Sequence, residues 1–330
     1  MKIGIIGCGL IGRKRALSLD QDDVIIACCD TNIEIGQKFA DEFNCEFFKD
    51  YYDLINNINC DIIIVAVINK YVKEIVKFAL EKNRHVLVEK PMGRNFKESL
   101  NILSKSKDRI LKVGFNHRFH PAIWKAKELF DSGEIGKLMF IRGVYGHGGR
   151  NGMEKEWRAS KDLCGGGELL DQGVHLIDLS RWFAGDIKTV FGNISTKFWD
   201  IEVEDNAFIL LKSNDNVDIQ LNVSWTNWKN TFQFEIFGTE GYLKINGLGR
   251  WYGKETLEFG KRKPDGGVPN IEIFEYEEED ISWIKEWQEF KSSIKVNRLP
   301  IGNGIDGARA NQIIDAVYKS STKNKIINIK

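Results

Sequence analysis

The strongest restriction on this chain is its opening. A short apolar strand, Lys2 to Ile6, runs straight into Gly7, Gly9 and Gly12, spaced G-x-G-x-x-G, and then into a helix over about Ile11 to Leu19. Strand, tight turn and helix in that order begin a βαβ unit. The glycines let a pyrophosphate approach the backbone N–H groups and let the helix pack closely on the strand. The N-terminus of the helix adds a favourable dipole for the anion. Gly7, Gly9, Leu10, Ile11 and Gly12 are therefore expected to touch a dinucleotide. A second apolar strand, Val24 to Asp30, ends in a carboxylate 18 residues after Gly12, close to the spacing at which an acid reaches the ribose hydroxyls of adenosine. A carboxylate repels the 2'-phosphate of NADP, and Thr31 and Asn32 offer no cation, so Asp30 favours NAD over NADP.

The alternation continues with helix Ile33 to Phe43, strand Glu46 to Phe48, a helix from Tyr51, strand Ile62 to Val67, helix Tyr71 to Lys82, strand His85 to Glu89, helix Phe96 to Lys105 and strand Leu111 to Phe115. Strands alternating with helices make a doubly wound parallel sheet, an α/β Rossmann domain, whose ligands sit at the carboxyl ends of the strands. That puts Glu89 and Lys90 at the ligand edge. Pro91 keeps Lys90 out of helical geometry. From about Gly136 the period changes to two, most clearly in Val217 to Trp225, where apolar Val217, Ile219, Leu221, Val223 and Trp225 alternate with polar residues. Further strands are expected at Lys137 to Tyr145, Val190 to Phe198, Asn206 to Leu211, Phe232 to Gly238 and Gly241 to Ile245, with late helices at about Ile281 to Val296 and Ile305 to Ser321. The expected organisation is a dinucleotide-binding domain over residues 1–120 and an α+β domain over 121–330 with a large, mostly antiparallel sheet.

Within the second half, the run Cys164 to Asp178 opens on three glycines and reads as an amphipathic helix. Asp171, His175, Asp178 and Trp182 fall within about 60° of one another on it. Two carboxylates and an imidazole in one row expect something polar opposite them, a substrate or simply solvent. Trp157 and Arg158, just upstream, offer an aromatic face and a planar donor to sugar hydroxyls or phosphates. Asn227, Trp228 and His147 to Arg150 could line the same pocket.

Lys plus Arg and Asp plus Glu balance at 47 each, with no basic run, so no electrostatic footprint for nucleic acid or an anionic membrane is present. The longest apolar run, Ile62 to Ile68, is far below the roughly 20 residues of a membrane helix. The glycines near the start suit a strand and turn better than a signal peptide. Six cysteines without a C-x-x-C pair predict neither structural zinc nor a disulfide framework, and a cytoplasmic protein. Trp283 and Trp287 read as core.

The combination of GCGLIG at 7–12, EKP at 89–91, GFNHRFHP at 114–121 and GGGELLDQGVHLID at 165–178 resembles the Gfo/Idh/MocA oxidoreductases across the whole domain order. The resemblance implies an NAD(P)-linked enzyme acting on a sugar, nucleotide sugar or cyclitol, with Lys90, Asp171 and His175 at the reacting carbon. It also implies a homodimer or homotetramer built on the open face of the second sheet. The chain departs from the family after the fourth strand: Val67, Ile68, Asn69 and Val72 stand where the family has Thr-Pro-Asn and a later His, so only Asn69 is carried over as a cofactor contact. Arg118 could hold substrate or form a salt bridge between domains, and His117 and His120 take no role from the pattern. No metal is expected. The reaction implied is reversible oxidation of a secondary alcohol. His175, with an unperturbed pKa near ~6.5, is a better base than Lys90, which starts near ~10.4. Lys90 then stabilises the reacting oxygen, and Asp171 orients the substrate or supports the proton transfer; the sequence leaves open an exchange of the Lys90 and His175 roles. Two alternatives stand beside this reading: an NAD-recycling glycosidase, and a nucleotide-binding sensor without turnover.

Overall fold

The computed structural model describes residues 1–106 and 109–329, so Lys330, the last residue of the expected second domain, lies outside the described residues. The chain divides into two compact units, Met1–Asn116 with Trp283–Asn311, and His117–Ser282 with Gln312–Lys330.

The first unit is the doubly wound sheet that the alternation predicts. Its elements are β1 (Lys2–Ile6), α1 (Leu10–Leu17), β2 (Val24–Cys29), α2 (Ile33–Phe43), β3 (Glu46–Phe48), α3 (Tyr51–Asn57), β4 (Ile62–Val65), α4 (Asn69–Glu81), β5 (His85–Val88), α5 (Phe96–Leu103) and β6 (Leu111–Val113). The strands are parallel in the order β3-β2-β1-β4-β5-β6. The order reverses between β1 and β4, which is where such sheets bind ligands. Every residue of β4 is buried, as a strand covered on both faces must be. Side chains set where the helices begin: Asn32, Asp50 and Asn95 accept from the backbone N–H of Ile35, Tyr52 and Glu98. α4 starts at Asn69, two residues before the expected Tyr71.

The second unit contains α6 (Pro121–Asp131), β7 (Leu138–Gly146), α7 (Lys161–Cys164), α8 (Val174–Ala184), β8 (Ile187–Ser195), β9 (Asn206–Ser213), β10 (Asp218–Ser224), β11 (Thr231–Gly238), β12 (Gly241–Asn246), β13 (Glu255–Lys261) and β14 (Asn270–Tyr276). Two helices follow, α9 (Ser282–Lys295) and α10 (Gly304–Lys323), and then β15 (Ile327–Asn328). The sheet runs β14-β13-β12-β11-β7-β10-β9-β8-β15; β7 and β10 are parallel and all other neighbours antiparallel. The sequence reading lacks α6, α7, β13, β14 and β15. β14 alternates polar and apolar residues only over Asn270–Ile273 and shows no buried face, since Ile271 and Ile273 are exposed like Glu272 between them.

α9 belongs to the first unit apart from Ser282, and Asp280 receives its leading N–H from Ser282. Trp287 and Phe290 are buried against Ile3, Ile5, Ile25 and Cys28, and the Trp287 indole donates to Asp23. These tryptophans are core, as read. The six cysteines are all free thiols; burial pushes Cys29 and Cys60 up to about 12, and Cys28 reaches about 12 although its hydrogen bond to Cys45 lowers it, because the hydrogen bond to Cys8 and burial raise it more. Phe290 is fully buried, so Phe290→Ala should cost about 3–5 kcal/mol. A urea midpoint equal to that of the unaltered protein would show that α9 contributes nothing to the core.

Candidate active site

The glycine turn has the geometry a dinucleotide needs. Gly7 has φ +95, and a Cβ there would lie 2.2 Å from the Ala66 carbonyl oxygen, so both conformation and space require glycine. A Cβ on Gly12 would lie 1.8 Å from the Gly7 carbonyl oxygen, whereas one on Gly9 would meet nothing within 4 Å. The turn is thus closed on its protein side and open at Gly9. No side chain caps α1, which leaves its first N–H groups to a bound anion. Leu10 is exposed and Ile11 half-buried in that first turn. Asp30 sits beside it: its carboxylate accepts from Cys8 N at 2.9 Å and Asn32 N at 2.8 Å. Two backbone donors hold the group, and its other lone pairs can still take ribose hydroxyls. The chain therefore fits NAD on its own geometry. Asn69 is buried at the start of α4.

Lys90 follows β5, whose end is fixed by Glu89 N donating to Val65 O at 2.9 Å. The Glu89 carboxylate is engaged by Arg15 of α1, Nε to Oε1 at 2.6 Å. Arg15 also reaches Glu286 of α9 at 2.6 Å, and Glu286 meets Lys112 of β6 at 3.2 Å. Lys112 donates in addition to the Ile301 carbonyl. Arg15, Lys112 and Glu286 are almost wholly buried. Burial pushes the Glu89 carboxyl up, against the pull of Arg15. Gly114 leaves the room for this cluster, since a Cβ there would lie 2.6 Å from the Arg15 guanidinium and 2.9 Å from Glu89. Among the residues expected to touch the cofactor, Glu89 is the one whose carboxylate is directed at a protein cation.

In the second unit the glycine run and the charged helix are built differently from a single amphipathic helix. Gly166 abuts the Tyr318 hydroxyl and Gly167 the Glu204 backbone, with no space for a Cβ at either. Glu204 in turn accepts from Gly167 N, Leu169 N and the Tyr318 hydroxyl. Leu169–Gly173 is then a π-helical turn, continued by α8. A wide turn between Asp171 and His175 breaks the 100° step on which the single stripe depends. Asp178 has no exposure at all, and Arg118 holds it bidentately, at 2.7 Å and 2.6 Å. The polar group opposite this part of the stripe is therefore a guanidinium of the protein. Arg118 and Asp178 lie in the same unit, and Trp182 packs near that guanidinium.

Asp171 is the half-buried member. Arg158 Nε lies 3.3 Å from its Oδ2 and the Arg158 guanidinium sits over the Trp157 ring at 4.5 Å, so these three expected substrate residues are brought together. His147 belongs to the same group. Its Nδ1 accepts from Gly149 N, and burial lowers its pKa, with Asp171 opposing and Arg150 and Arg158 assisting. Arg150 is paired bidentately with Glu156. Gln172, next to Asp171, donates to the Tyr252 hydroxyl at 2.9 Å. His175 is buried and stacks on His117, 3.6 Å between centroids and 14° between planes. His117 Nε2 lies 3.1 Å from the Tyr145 hydroxyl. Burial raises Tyr145 well above the usual phenol range and Tyr252 to about 12.

Residues 1–117 match the profile described as "Oxidoreductase family, NAD-binding Rossmann fold", and residues 123–244 that described as "GFO/IDH/MocA C-terminal domain". The chain belongs to the Gfo/Idh/MocA oxidoreductase family. Levoglucosan dehydrogenase of Pseudarthrobacter phenanthrenivorans is 25 % identical over 288 residues, 74 % of this chain and 73 % of that protein. Myo-inositol 2-dehydrogenase of Thermotoga maritima is 25 % identical over 348 aligned positions, covering 100 % of this chain and 99 % of the other. Among solved structures, levoglucosan dehydrogenase in complex with NADH superposes with a TM-score of 0.91 at 22 % identity, over 100 % of this chain and 99 % of that one.

Within this Gfo/Idh/MocA chain, sequence reasoning missed Tyr145, Tyr252 and Gln172, which stand on elements whose pattern reads only as sheet, connection and helix. It also missed Arg15 and Glu286, 271 residues apart, for which no local signal exists. Glu286→Gln would leave Arg15 and Lys112 with one buried carboxylate fewer, at an expected cost of about 3–5 kcal/mol. Thermal unfolding of the variant checks this; an unchanged transition would mean that water, not Glu286, balances the two cations.

Proposed function

We propose that this chain is an NAD-dependent dehydrogenase that reversibly oxidises a secondary alcohol of a neutral sugar or cyclitol. The observation that carries the reading is Asp30, a carboxylate held by two backbone N–H groups beside an uncapped glycine turn, in a chain matched along both domains by an NAD-binding oxidoreductase family. The relatives named levoglucosan dehydrogenase and myo-inositol 2-dehydrogenase support a sugar or cyclitol ring as substrate. A neutral ring is favoured over a nucleotide sugar because Arg150 and Arg158 are already paired with Glu156 and Asp171.

Bound NAD supplies the hydride acceptor at its nicotinamide ring. His175 takes the hydroxyl proton, since an imidazole titrates near the operating pH. Lys90 donates to the reacting oxygen and stabilises the negative charge that develops there. Asp171, braced by Arg158, orients the ring through its hydroxyls, with Trp157 offering an apolar face. Arg118 supports α8 through Asp178, and Glu89 supports the strand end that carries Lys90.

The test is absorbance of NADH with a panel of free sugars, cyclitols and nucleotide sugars, run beside Lys90→Ala. Neutral rings should give NADH and the variant should not. NADH from nucleotide sugars alone would reject the neutral class, and glycoside cleavage without net NADH would replace the dehydrogenase by the NAD-recycling glycosidase. His175→Ala should lower kcat by about 10²-fold with little change in NAD affinity. Asp30→Ser should narrow the preference for NAD over NADP, and an unaltered ratio would remove Asp30 from the cofactor site.

The cytoplasm is the proposed location, supported by the free thiols and by the use of NAD. Among the described residues, no helix is long and apolar enough to cross a membrane. A homodimer or homotetramer is proposed on one face of the nine-stranded sheet. Cross-strand register puts Phe140, Phe237, Tyr242 and Ile271 in one row; in the adjacent row Leu210 and Ile273 are separated by Gln220, Arg142, Glu235, Lys244 and Glu258, and Leu210, Ile271 and Ile273 are exposed. Exposed apolar side chains beside an aromatic row call for a cover. Light scattering should give a multiple of 37.8 kDa, and Leu210→Glu should shift it towards the monomer; a monomeric unaltered protein at micromolar concentration would reject the assembly.

A further inference from the structure

His117 lies in the one-turn segment Asn116–Phe119 and is the ring on which His175 rests. Its surroundings leave it little freedom. The next residue, Arg118, is locked to Asp178 of α8, the helix that also carries His175. Phe232 meets the His117 ring edge-on at 6.0 Å and His120 does so at 5.6 Å. Tyr145 fixes the rim from β7, a strand held between β10 and β11 near the middle of the sheet. Tyr145 packs edge-on against Tyr252, whose hydroxyl accepts from Gln172 in the π-helical turn that holds Asp171. The plate under His175 and the turn carrying Asp171 thus share one scaffold within the second unit.

We propose that His117 is a positioning residue for His175: its imidazole forms a rigid plate that sets the plane of the base, and the Tyr145 hydroxyl, donating to Nε2, holds that plate as the Nδ1–H tautomer. This rests on the reading of His175 as the proton acceptor. The geometry has a chemical reason. A general base works only if one ring nitrogen is aimed at the hydroxyl proton, and an imidazole that turns about its Cβ–Cγ bond presents carbon in place of nitrogen. A parallel ring 3.6 Å away blocks that turning without competing for either nitrogen. When His175 gains its proton, the π face of a neutral imidazole is a favourable neighbour for the cation, whereas a second imidazolium would repel it. A tyrosine donor on Nε2 keeps His117 in the neutral form that this requires.

The test is a double-mutant cycle on the full-length enzyme with the substrate found in the panel above. His117→Ala should lower kcat about tenfold, with KM for the sugar and the dissociation constant for NAD within about twofold. In a His175→Ala background the same change should cost less than about twofold, because the plate then has nothing to hold. His117→Phe, which restores a flat ring, should recover most of the loss. A second readout does not depend on turnover: NMR of the ring protons of the five histidines should show two sets shielded by mutual stacking, and each single variant, His175→Ala or His117→Ala, should remove one set and move the other downfield. Equal losses in both backgrounds would make His117 structural only and overturn the proposal. If His175→Ala itself leaves turnover intact, the assignment of the base fails, while the NMR shift still reports whether the plate exists.

Discussion

The placement of Lys90 depends on a cation that is nowhere near it in sequence. Arg15 of α1 bonds Glu89, the residue before Lys90, and Glu286 of α9, and Glu286 is shared with Lys112 of β6. Each of these groups would be costly to bury alone, and together they are balanced and hydrogen-bonded. The cluster ties the helix behind the glycine turn, the strand end with the lysine and a helix from the last fifty residues to one point. Such networks set position more than they add stability. Gly114 belongs to the same constraint, because any side chain there would occupy the space of the Arg15 guanidinium.

The second unit solves a similar problem with different groups. Arg118 and Asp178 form the buried pair that fixes α8, and the glycine run is pressed against Glu204 and Tyr318 so that a π-helical turn can follow. π-helical turns tend to occur at functional sites, where the extra residue redirects side chains. Here it separates the half-buried Asp171 from the buried His175. A carboxylate in partial contact with water and an imidazole sheltered from it are suited to orientation and proton transfer respectively.

What was legible in the sequence is what local pattern encodes. Short hydrophobic runs bounded by turns gave the six parallel strands, of three to six residues, and G-x-G-x-x-G with Asp30 gave the dinucleotide turn, since both depend on residues close in the chain. Asp171 and Arg158 were found separately by residue type and do meet. The π-helical turn was invisible because a single inserted residue leaves composition unchanged while altering every angle after it. Arg118 and Asp178 each looked available to a ligand, and only the fold shows that they take each other. β14 escaped because its isoleucines face outward beside glutamates, so its register, rather than its polarity, defines it as strand. The His117 plate has no sequence signal at all: stacking of two histidines 58 positions apart is a property of the assembled unit.

Residues 283–311 return to the unit that residues 1–116 begin, so the second unit interrupts the first rather than following it. A fragment ending at Asn116 would lack Trp287 and Phe290 over Ile3 and Ile5, and would bury Arg15 and Lys112 without Glu286. The dinucleotide domain is therefore not separable by a single cut. Exchange of substrate domains between relatives, in the laboratory or in evolution, has to be made with three joints, after residues 116, 282 and 311, and the third joint falls inside α10. Helix phase at that joint becomes the hidden variable of any chimera: one residue gained or lost there rotates everything downstream by about 100°.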